Sequence, residues 1–258
     1  MNPQITQGID VASLTLYAFF LFFLGLVFYL RREDRREGYP LEDEMSGRID
    51  TPGGPLSNAS PKTFRLPFGH GTVSVPNNKR DPFDIKAYRT DRFGGAPIAP
   101  TGNPLIDGIG PAAWADRAKR PDVDYEGHAR IVPISAAPGF TIAKGDPDPR
   151  GMAVLGADGQ LAGTVRDIWI DKADRLIRYL EVEVGGIAGK HVLAPMMMAM
   201  INKSQRTVTI DALLASHFAD APVIDAADTI TLYEEERVQA YFGGGYLYAT
   251  RERQEPLL

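Results

Sequence analysis

One short stretch of the sequence alternates acidic residues with other residue types and ends on a histidine. Its letters, PDVDYEGHARI at 121–131, place Asp122, Asp124, Glu126 and His128 two positions apart. In an extended strand, side chains two apart share a face, so the four would put carboxylates beside an imidazole, groups used in acid–base chemistry. A solvated acidic loop explains the same spacing equally well, and the sequence alone leaves both interpretations open.

A second charged cluster is predicted at the tip of a β-hairpin. β-Rich runs at 164–170 and 176–184 flank the letters DKAD, which are typical of a hairpin turn. Arg178 shares the parity of the apolar side of the second run. A charge facing inward needs a partner, and Asp171 or Asp174 is the obvious candidate. A structural ion pair is one interpretation, and a proton-transfer group perturbed by burial is the other.

The sequence carries no recognisable catalytic constellation. It contains no cysteine, which excludes disulfides, thiolate metal sites and a cysteine nucleophile. It also lacks the phosphate-binding loop, the dinucleotide-binding fingerprint, HExxH and GxSxG. The net charge of −5 gives no reason to expect nucleic acid as a partner. We therefore expect a protein that is not an enzyme.

These clusters follow a single apolar segment near the N-terminus. Residues 11–30 contain no charge, and twenty residues make about 30 Å of helix, the thickness of a hydrocarbon core. Four arginines follow at once, whereas Asp10 is the only charge among residues 1–10. The excess of positive charge on one flank predicts a single-pass helix with residues 1–10 outside and the bulk of the chain in the cytoplasm. The span contains no histidine, so it offers no imidazole ligand.

The segment at 31–115 is rich in proline and glycine, which forbids long helices. Apolar residues recur along it, so we expect an extended surface segment that becomes ordered against a partner rather than a disordered one. Within it, residues 61–76 predict two short strands around a Gly-His-Gly turn.

Residues 116–250 predict a mostly β domain, a small barrel or curled sheet with short helices, followed by a tail at 251–258. Further strands are expected at 191–194 and 207–210. Asp211 is predicted to cap a short helix, and Thr231 with Glu234 forms a capping box for a helix of about ten residues. The run Gly243-Gly244-Gly245 is predicted to stop that helix.

Taken in order, these segments resemble the H subunit of the purple-bacterial photosynthetic reaction centre. The likeness runs over essentially the whole chain and is carried by RREDRREGYPLE (31–42), PKTFRLPFGHGTVSVP (61–76), GAPIAPTGNPLIDGIGPAAWADR (95–117), DPRG (148–151), GTVRDIWID (163–171), RYLEVEV (178–184) and ITLYEEERVQAYFGGGYLYAT (230–250). The resemblance implies that the second half is the small β-barrel named after this subunit, the PRC-barrel.

The resemblance also implies a place and a role. The family's subunit sits in the bacterial inner membrane, in intracytoplasmic or chromatophore form, with its N-terminus periplasmic. It binds no pigment itself and caps the L and M subunits, which hold the bacteriochlorophyll, bacteriopheophytin, quinones, carotenoid and non-haem iron. Membrane lipid surrounds its helix. Whether a cytochrome subunit and a light-harvesting antenna accompany the complex is left open. Protons bound for the secondary quinone cross this subunit.

Individual residues acquire roles by the same resemblance. Asp124 matches the family's proton-uptake aspartate, and His128 matches one of two uptake histidines. Glu126 stands where the other histidine is found, so a two-histidine metal-inhibition site would lose a ligand. Two acidic residues further in are expected to continue the proton path: Asp171 matches an interior aspartate, and Asp174 stands in place of a glutamate, one methylene shorter. Two further matches are basic: Arg178 beside the interior carboxylates and Arg130 beside the uptake point.

A different function is compatible with the same architecture. The PRC-barrel recurs in unrelated cytoplasmic proteins, so the alternative is a membrane-anchored adaptor or scaffold of another membrane complex. A near-infrared absorption spectrum of the complex that copurifies with the chain distinguishes the two: bacteriochlorophyll bands would support the reaction-centre subunit, and a colourless complex would favour the adaptor.

Overall fold

A computed structural model describes residues 10–39, 41–42, 46, 48–50, 58–77, 79 and 84–254. The expected periplasmic residues 1–10, apart from Asp10, and the last four residues of the expected tail lie outside the described residues. The chain forms two compact units, one of residues 1–81 and 91–96 and one of residues 82–90 and 97–258.

The first unit is dominated by helix α1, Val11–Glu33. The carboxylate of Asp10 caps it by accepting a hydrogen bond from the backbone N–H of Ser13 at 2.7 Å. None of its residues is buried in the structure, and it is long and apolar enough to cross a membrane. The sequence prediction of one apolar helix able to span a membrane is therefore confirmed.

Two short hairpins complete this unit. Strands β1, Leu41–Glu42, and β2, Ile49–Asp50, form one of them. Strands β3, Lys62–Arg65, and β4, Thr72–Val75, form the other, which confirms the two strands predicted around the Gly-His-Gly turn. The guanidinium of Arg36 donates to the carbonyl oxygens of Ser60 (2.7 Å) and Val75 (3.2 Å), so an arginine just beyond α1 holds this hairpin.

The second unit begins with a small hairpin and a single helical turn. Strands β5, Ala87–Arg89, and β6, Ile98–Pro100, pair antiparallel, and helix α2 follows at Pro104–Asp107. Leu105 and Ala112, from the proline- and glycine-rich stretch, belong to the hydrophobic core of this unit.

A curled sheet makes up the rest of the second unit. Its strands are β7 (Ile131–Pro133), β8 (Ala153–Leu155), β9 (Leu161–Asp171), β10 (Leu176–Val184), β11 (His191–Pro195), β12 (Ala199–Asn202) and β13 (Thr207–Ile210). In the described part of the chain the pairing order is β11-β10-β9-β8-β13-β12, and β7 also pairs with β9. The mostly β second half expected from the sequence is confirmed.

Helix α3, Leu232–Tyr248, closes the core, with Phe242 packed edge-on against Phe218. The capping box predicted at its start is confirmed: the Thr231 hydroxyl accepts from the Glu234 N–H, and Glu234 accepts from the Thr231 N–H. The prediction that the three glycines stop this helix is wrong, since the helix continues through them to Tyr248.

Two of the three glycines, Gly244 and Gly245, are in α3 because a neighbouring segment comes very close. A Cβ on Gly245 would collide with the carbonyl oxygen of Ala212 and lie 2.5 Å from Leu213 Cδ2. A Cβ on Gly244 would lie 2.5 Å from the Cβ of Ala112. Their role is therefore contact between elements and not helix termination.

The short helix predicted to start at Asp211 is also wrong. A turn follows β13, and a 3₁₀ helix begins only at Ala215–Ala219. Ala212 and Leu213 are both fully buried, whereas the Asp211 carboxylate accepts a hydrogen bond from the Tyr246 hydroxyl at 2.9 Å. Burial of two successive residues against α3 overrides the local helix signal.

The close approach at α3 predicts different effects for two identical substitutions. Gly245→Ala should lower the free energy of unfolding of the full chain in detergent by about 1–3 kcal/mol, because the added methyl overpacks the contact with Ala212. Gly243→Ala is the matched control: its Cβ would meet Pro111 at 3.9 Å, so helix propensity should leave stability unchanged or raise it by up to about 1 kcal/mol. Equal effects of the two changes in urea unfolding would contradict this packing.

Candidate functional site

The 121–130 segment is a tight loop rather than an extended strand. Val123 bridges Ala129 across a reversal at Tyr125–Gly127, and the Asp124 N–H donates to the His128 carbonyl oxygen at 2.9 Å. The shared strand face expected for the four residues is therefore wrong. Gly127, at φ +89°, lets the chain turn back sharply.

The turn nevertheless brings three of the expected side chains together. The Nδ1 atom of His128 lies 3.5 Å from Glu126 Oε2 and 3.9 Å from Asp124 Oδ1. We call Asp124, Glu126 and His128 the surface triad. The His128 side chain is 68% exposed and that of Asp124 only 14%, so the imidazole reaches solvent above a partly buried carboxylate.

Asp124 is the structural centre of the surface triad. Its Oδ1 atom accepts from the backbone N–H groups of His128 at 2.9 Å and Glu126 at 3.0 Å. The N–H of His128, followed by that of Glu126 and the charge of Lys172, lowers the pKa of the Asp124 carboxyl below its ordinary value. Asp124 is therefore a fixed negative charge at neutral pH.

The second cluster lies at the turn between β9 and β10. Asp171 ends β9, and its Oδ1 atom accepts from the N–H groups of Ala173 at 2.9 Å and Asp174 at 3.0 Å. These two bonds close the turn, as aspartate side chains do in Asx turns. The Asp171 side chain is only 2% exposed. An ionised carboxylate in that position needs a cation beside it.

Arg130 supplies that cation. Its Nε atom lies 3.0 Å from Asp171 Oδ1 and 2.9 Å from Asp171 Oδ2, and its Nη2 group donates to Asp174. Its Nη1 atom is 3.5 Å from Asp122 Oδ2. The antiparallel pairing of β7 with β9, which places Ile131 opposite Asp171, puts Arg130 there. We call Arg130 with Asp122, Asp171 and Asp174 the Arg130 hub.

The Arg130 hub fixes the charge of its buried member. Burial alone would raise the pKa of Asp171, but the Arg130 guanidinium and the Asp174 and Ala173 N–H groups outweigh it and lower that pKa below its ordinary value. The hydrogen bond to Asp171 likewise raises the pKa of Arg130. Asp171 is therefore ionised at neutral pH despite its burial.

The partner expected for Arg178 is wrong. The Arg178 Nη2 atom lies 3.8 Å from Glu235 Oε2, whereas Arg130 takes the interior aspartates. The pairing of β10 with β9 skips a position, since Ile177 is opposite Ile170 and Tyr179 is opposite Trp169. Arg178 is the extra residue of this bulge, so the parity that suggested its direction is broken there.

The loop and the hairpin tip are joined by a lysine that sequence reasoning missed. The Lys172 N–H donates to the Arg130 carbonyl oxygen at 3.0 Å, and its Nζ atom is 3.8 Å from Asp124 Oδ2. Lys172 thus contacts a member of the surface triad and the backbone of the Arg130 hub. No local pattern signals this, because the contact spans 48 positions along the chain between Asp124 and Lys172.

The Arg130 hub opens on a cavity of about 310 Å³, which we call the hub cavity. Three members of the hub line it, Asp122, Arg130 and Asp171. Further lining residues come from β10 and from the first turns of α3: Arg178, Glu235, Glu236 and Gln239. Glu235 is a buried carboxyl that sequence reasoning missed, because the capping-box pattern drew attention only to Glu234 beside it. Among the described residues, no group of three His, Asp or Glu side chains is arranged to hold a metal ion.

The Arg130 hub predicts a pH-dependent stability difference. Arg130→Gln should lower the free energy of unfolding by about 2 kcal/mol near neutral pH, because Asp171 stays buried without its cation. The stabilisation from a lowered carboxyl pKa is complete above the unfolded value of about 4 and is lost as pH falls through the folded value. Urea unfolding should therefore show the deficit shrinking below about pH 4.

Arg178→Gln is the matched control for that experiment, because its contact with Glu235 is longer and half-exposed. It should cost less than about 1 kcal/mol. A deficit in Arg130→Gln that is the same at all pH values would contradict the assignment of the ion pair to Asp171.

Two family comparisons bear on the whole chain. The family model for the photosynthetic reaction centre H-chain N-terminal region matches residues 3–136, more than half of the chain. The model for the PRC-barrel domain matches residues 143–215, which contain strands β8 to β13 of the second unit. The H chain is a non-catalytic subunit of the reaction centre, and membership implies association with the L and M subunits. The resemblance seen in the sequence is confirmed, and the chain belongs to the H-chain family of the photosynthetic reaction centre.

Proposed function

We propose that this chain caps the L and M subunits on the cytoplasmic side of the membrane and conducts protons toward the secondary quinone that they hold. The observation that carries the proposal is the sequence of charged groups from the exposed surface triad, through Lys172, to the partly buried Arg130 hub. Arrays of coupled ionisable groups of this kind are the usual means of moving protons through a protein.

Orientation is part of the proposal. Arg31, Arg32, Arg35 and Arg36 follow the apolar part of α1, and positive flanks remain on the cytoplasmic side of bacterial membranes. The N-terminus is then periplasmic, and both charged clusters face the cytoplasm, from which protons are drawn. The pigments, quinones and iron belong to the partner subunits in this proposal.

The surface triad performs the first step. Asp124 is held ionised, so it provides a standing negative potential that attracts protons to the loop. Glu126 and His128 lie within 3.5 Å of each other at the surface and exchange protons with solvent. Histidine is the side chain whose charge most readily changes near neutral pH. Glu126, which replaces a histidine of the family pattern, provides a carboxylate that can collect protons at this position.

The Arg130 hub performs the second step with two different carboxylates. Asp171 is the fixed anion that keeps Arg130 in place. Asp174, whose side chain is 52% exposed, contacts the same guanidinium and is free to reach solvent. We assign proton transfer to Asp174, with Asp171 maintaining the local potential. Arg178 acts further along, beside Glu235.

Removal of the Asp174 carboxyl tests this function. In a reaction-centre complex carrying Asp174→Asn, proton uptake coupled to the second electron transfer should slow by roughly tenfold, because the amide cannot carry a proton between groups. Flash-induced absorbance changes of a pH indicator dye give the rate, and the pigment spectrum should be unchanged.

The exposed Asp228 provides the matched control, because Asp228→Asn makes the same chemical change in the same unit at a residue that belongs to neither cluster. Uptake kinetics in Asp174→Asn that equal those of wild type would remove Asp174 from the route.

A further inference from the structure

Glu235 is a buried carboxyl that neither the helix cap nor the ion pairs of the Arg130 hub require. It lies in the first turn of α3 and is only 9% exposed. The neighbouring Glu234 makes all the capping contacts: it accepts from the Thr231 hydroxyl (2.7 Å) and N–H (2.8 Å) and from the Asp225 N–H (2.7 Å). Glu234 therefore caps the helix, and the burial of Glu235 has to be explained by something other than capping.

The partners of Glu235 are few for a buried carboxylate. The Tyr179 hydroxyl donates to Glu235 Oε2 at 3.1 Å, and the Gln239 side-chain amide donates to the same hydroxyl at 3.0 Å. The guanidinium of Arg178 lies 3.8 Å away and is itself partly exposed. Tyr179 is 1% exposed, so the hydrogen-bonded end of the carboxyl is dry. One neutral donor and one distant cation compensate only part of the cost of burying a charge.

Charges on the other walls of the hub cavity make an ionised Glu235 still less favourable. Asp122 and Asp171 face Glu235 across it and repel a further negative charge. The Arg130 guanidinium is already shared among three carboxylates. On the α3 side, Glu236 pairs with Arg117 at 3.1 Å. Burial first, and then the carboxylates of Asp122 and Asp171, raise the pKa of Glu235 above its ordinary value.

Two buried carboxyls that line the same cavity thus have pKa values shifted in opposite directions, lowered for Asp171 and raised for Glu235. Asp171 receives two backbone N–H groups and a close guanidinium, and Glu235 receives a single hydroxyl. Pairs of carboxyls driven apart in this way take different roles, one as a permanent anion and one as a proton holder. A cavity of about 310 Å³ has room for several water molecules between them.

From this geometry we infer that Glu235 is a proton-storing group of the hub cavity, binding a proton on its carboxyl and releasing it to water facing Asp171 and Asp122. The inference rests on the proposed proton route and extends it by one carboxyl beyond Asp174. The step forms and breaks one O–H bond of the Glu235 carboxyl, with water as the proton donor and acceptor, and no electron moves.

The test uses the intact reaction-centre complex with Glu235→Gln, which keeps the size of the side chain and its hydrogen bond from Tyr179. Light-minus-dark infrared difference spectra, recorded as the secondary quinone is reduced, should lose a band in the carboxylic-acid carbonyl region that shifts in D₂O. Proton uptake per quinone reduced should fall and lose part of its pH dependence. Glu235→Asp should restore a shifted band, which a purely structural role would not predict.

Glu183→Gln is the matched control, an identical change at an exposed site on β10, and should leave spectrum and uptake as in wild type. A complex with Glu235→Gln that retains the full band and wild-type pH dependence overturns the inference. If Glu235→Gln prevents assembly, Tyr179→Phe serves instead: loss of the single donor should shift the band, and an unshifted band overturns the inference.

The two proposals fail in different ways. Slow uptake in Asp174→Asn together with an unaltered Glu235→Gln complex would remove Glu235 alone and leave the proposed route. Wild-type uptake in Asp174→Asn would contradict the route itself, and the infrared band would then decide whether Glu235 still holds a proton.

Discussion

Arg130 contacts three carboxylates. The arrangement of both charged clusters follows from one of these contacts, because the buried charge of Asp171 needs a cation beside it. Asp171 ends β9 in a buried position, and its carboxylate closes the hairpin turn by accepting two N–H groups. That geometry is stable only with a cation beside it. The pairing of β7 with β9 supplies Arg130, and the loop before β7 must then fold back over the turn. The surface triad and the Arg130 hub are neighbours for this reason.

The pairing of Arg130 with Asp171 affects Glu235, on the opposite wall of the hub cavity. Arg130 is already paired with three aspartates, so Glu235 faces two carboxylates with only the Tyr179 hydroxyl and the Arg178 guanidinium at 3.8 Å as partners. Burial then acts on the two carboxyls in opposite senses: Asp171 stays ionised, and Glu235 gains affinity for a proton. A fixed anion, an exchangeable surface group and a buried proton holder within one fold are the parts a proton route needs.

Sequence patterns predicted an element correctly where neighbouring residues in the sequence decide its structure. The apolar span, the β3–β4 hairpin, the strand at 207–210 and the Thr231 capping box depend on residues adjacent in sequence, and the structure has them. The glycine run in α3 and the segment after Asp211 differ from the local prediction because both are decided by packing between distant segments. Arg178 differs because a bulge between β9 and β10 shifts the strand register, which the alternation of residue types does not show. The surface triad does assemble, but through a turn and not through a strand face.

The central claim is that the surface triad and the Arg130 hub are consecutive parts of one proton route. A double-mutant cycle in the reaction-centre complex tests it directly: proton uptake on the second flash is timed for Asp124→Asn, Asp174→Asn and the double variant. Steps in series predict that the double variant is scarcely slower than the slower single variant. Two single variants near wild type with a double variant far slower than either would show parallel routes, and would contradict the continuous path through Lys172.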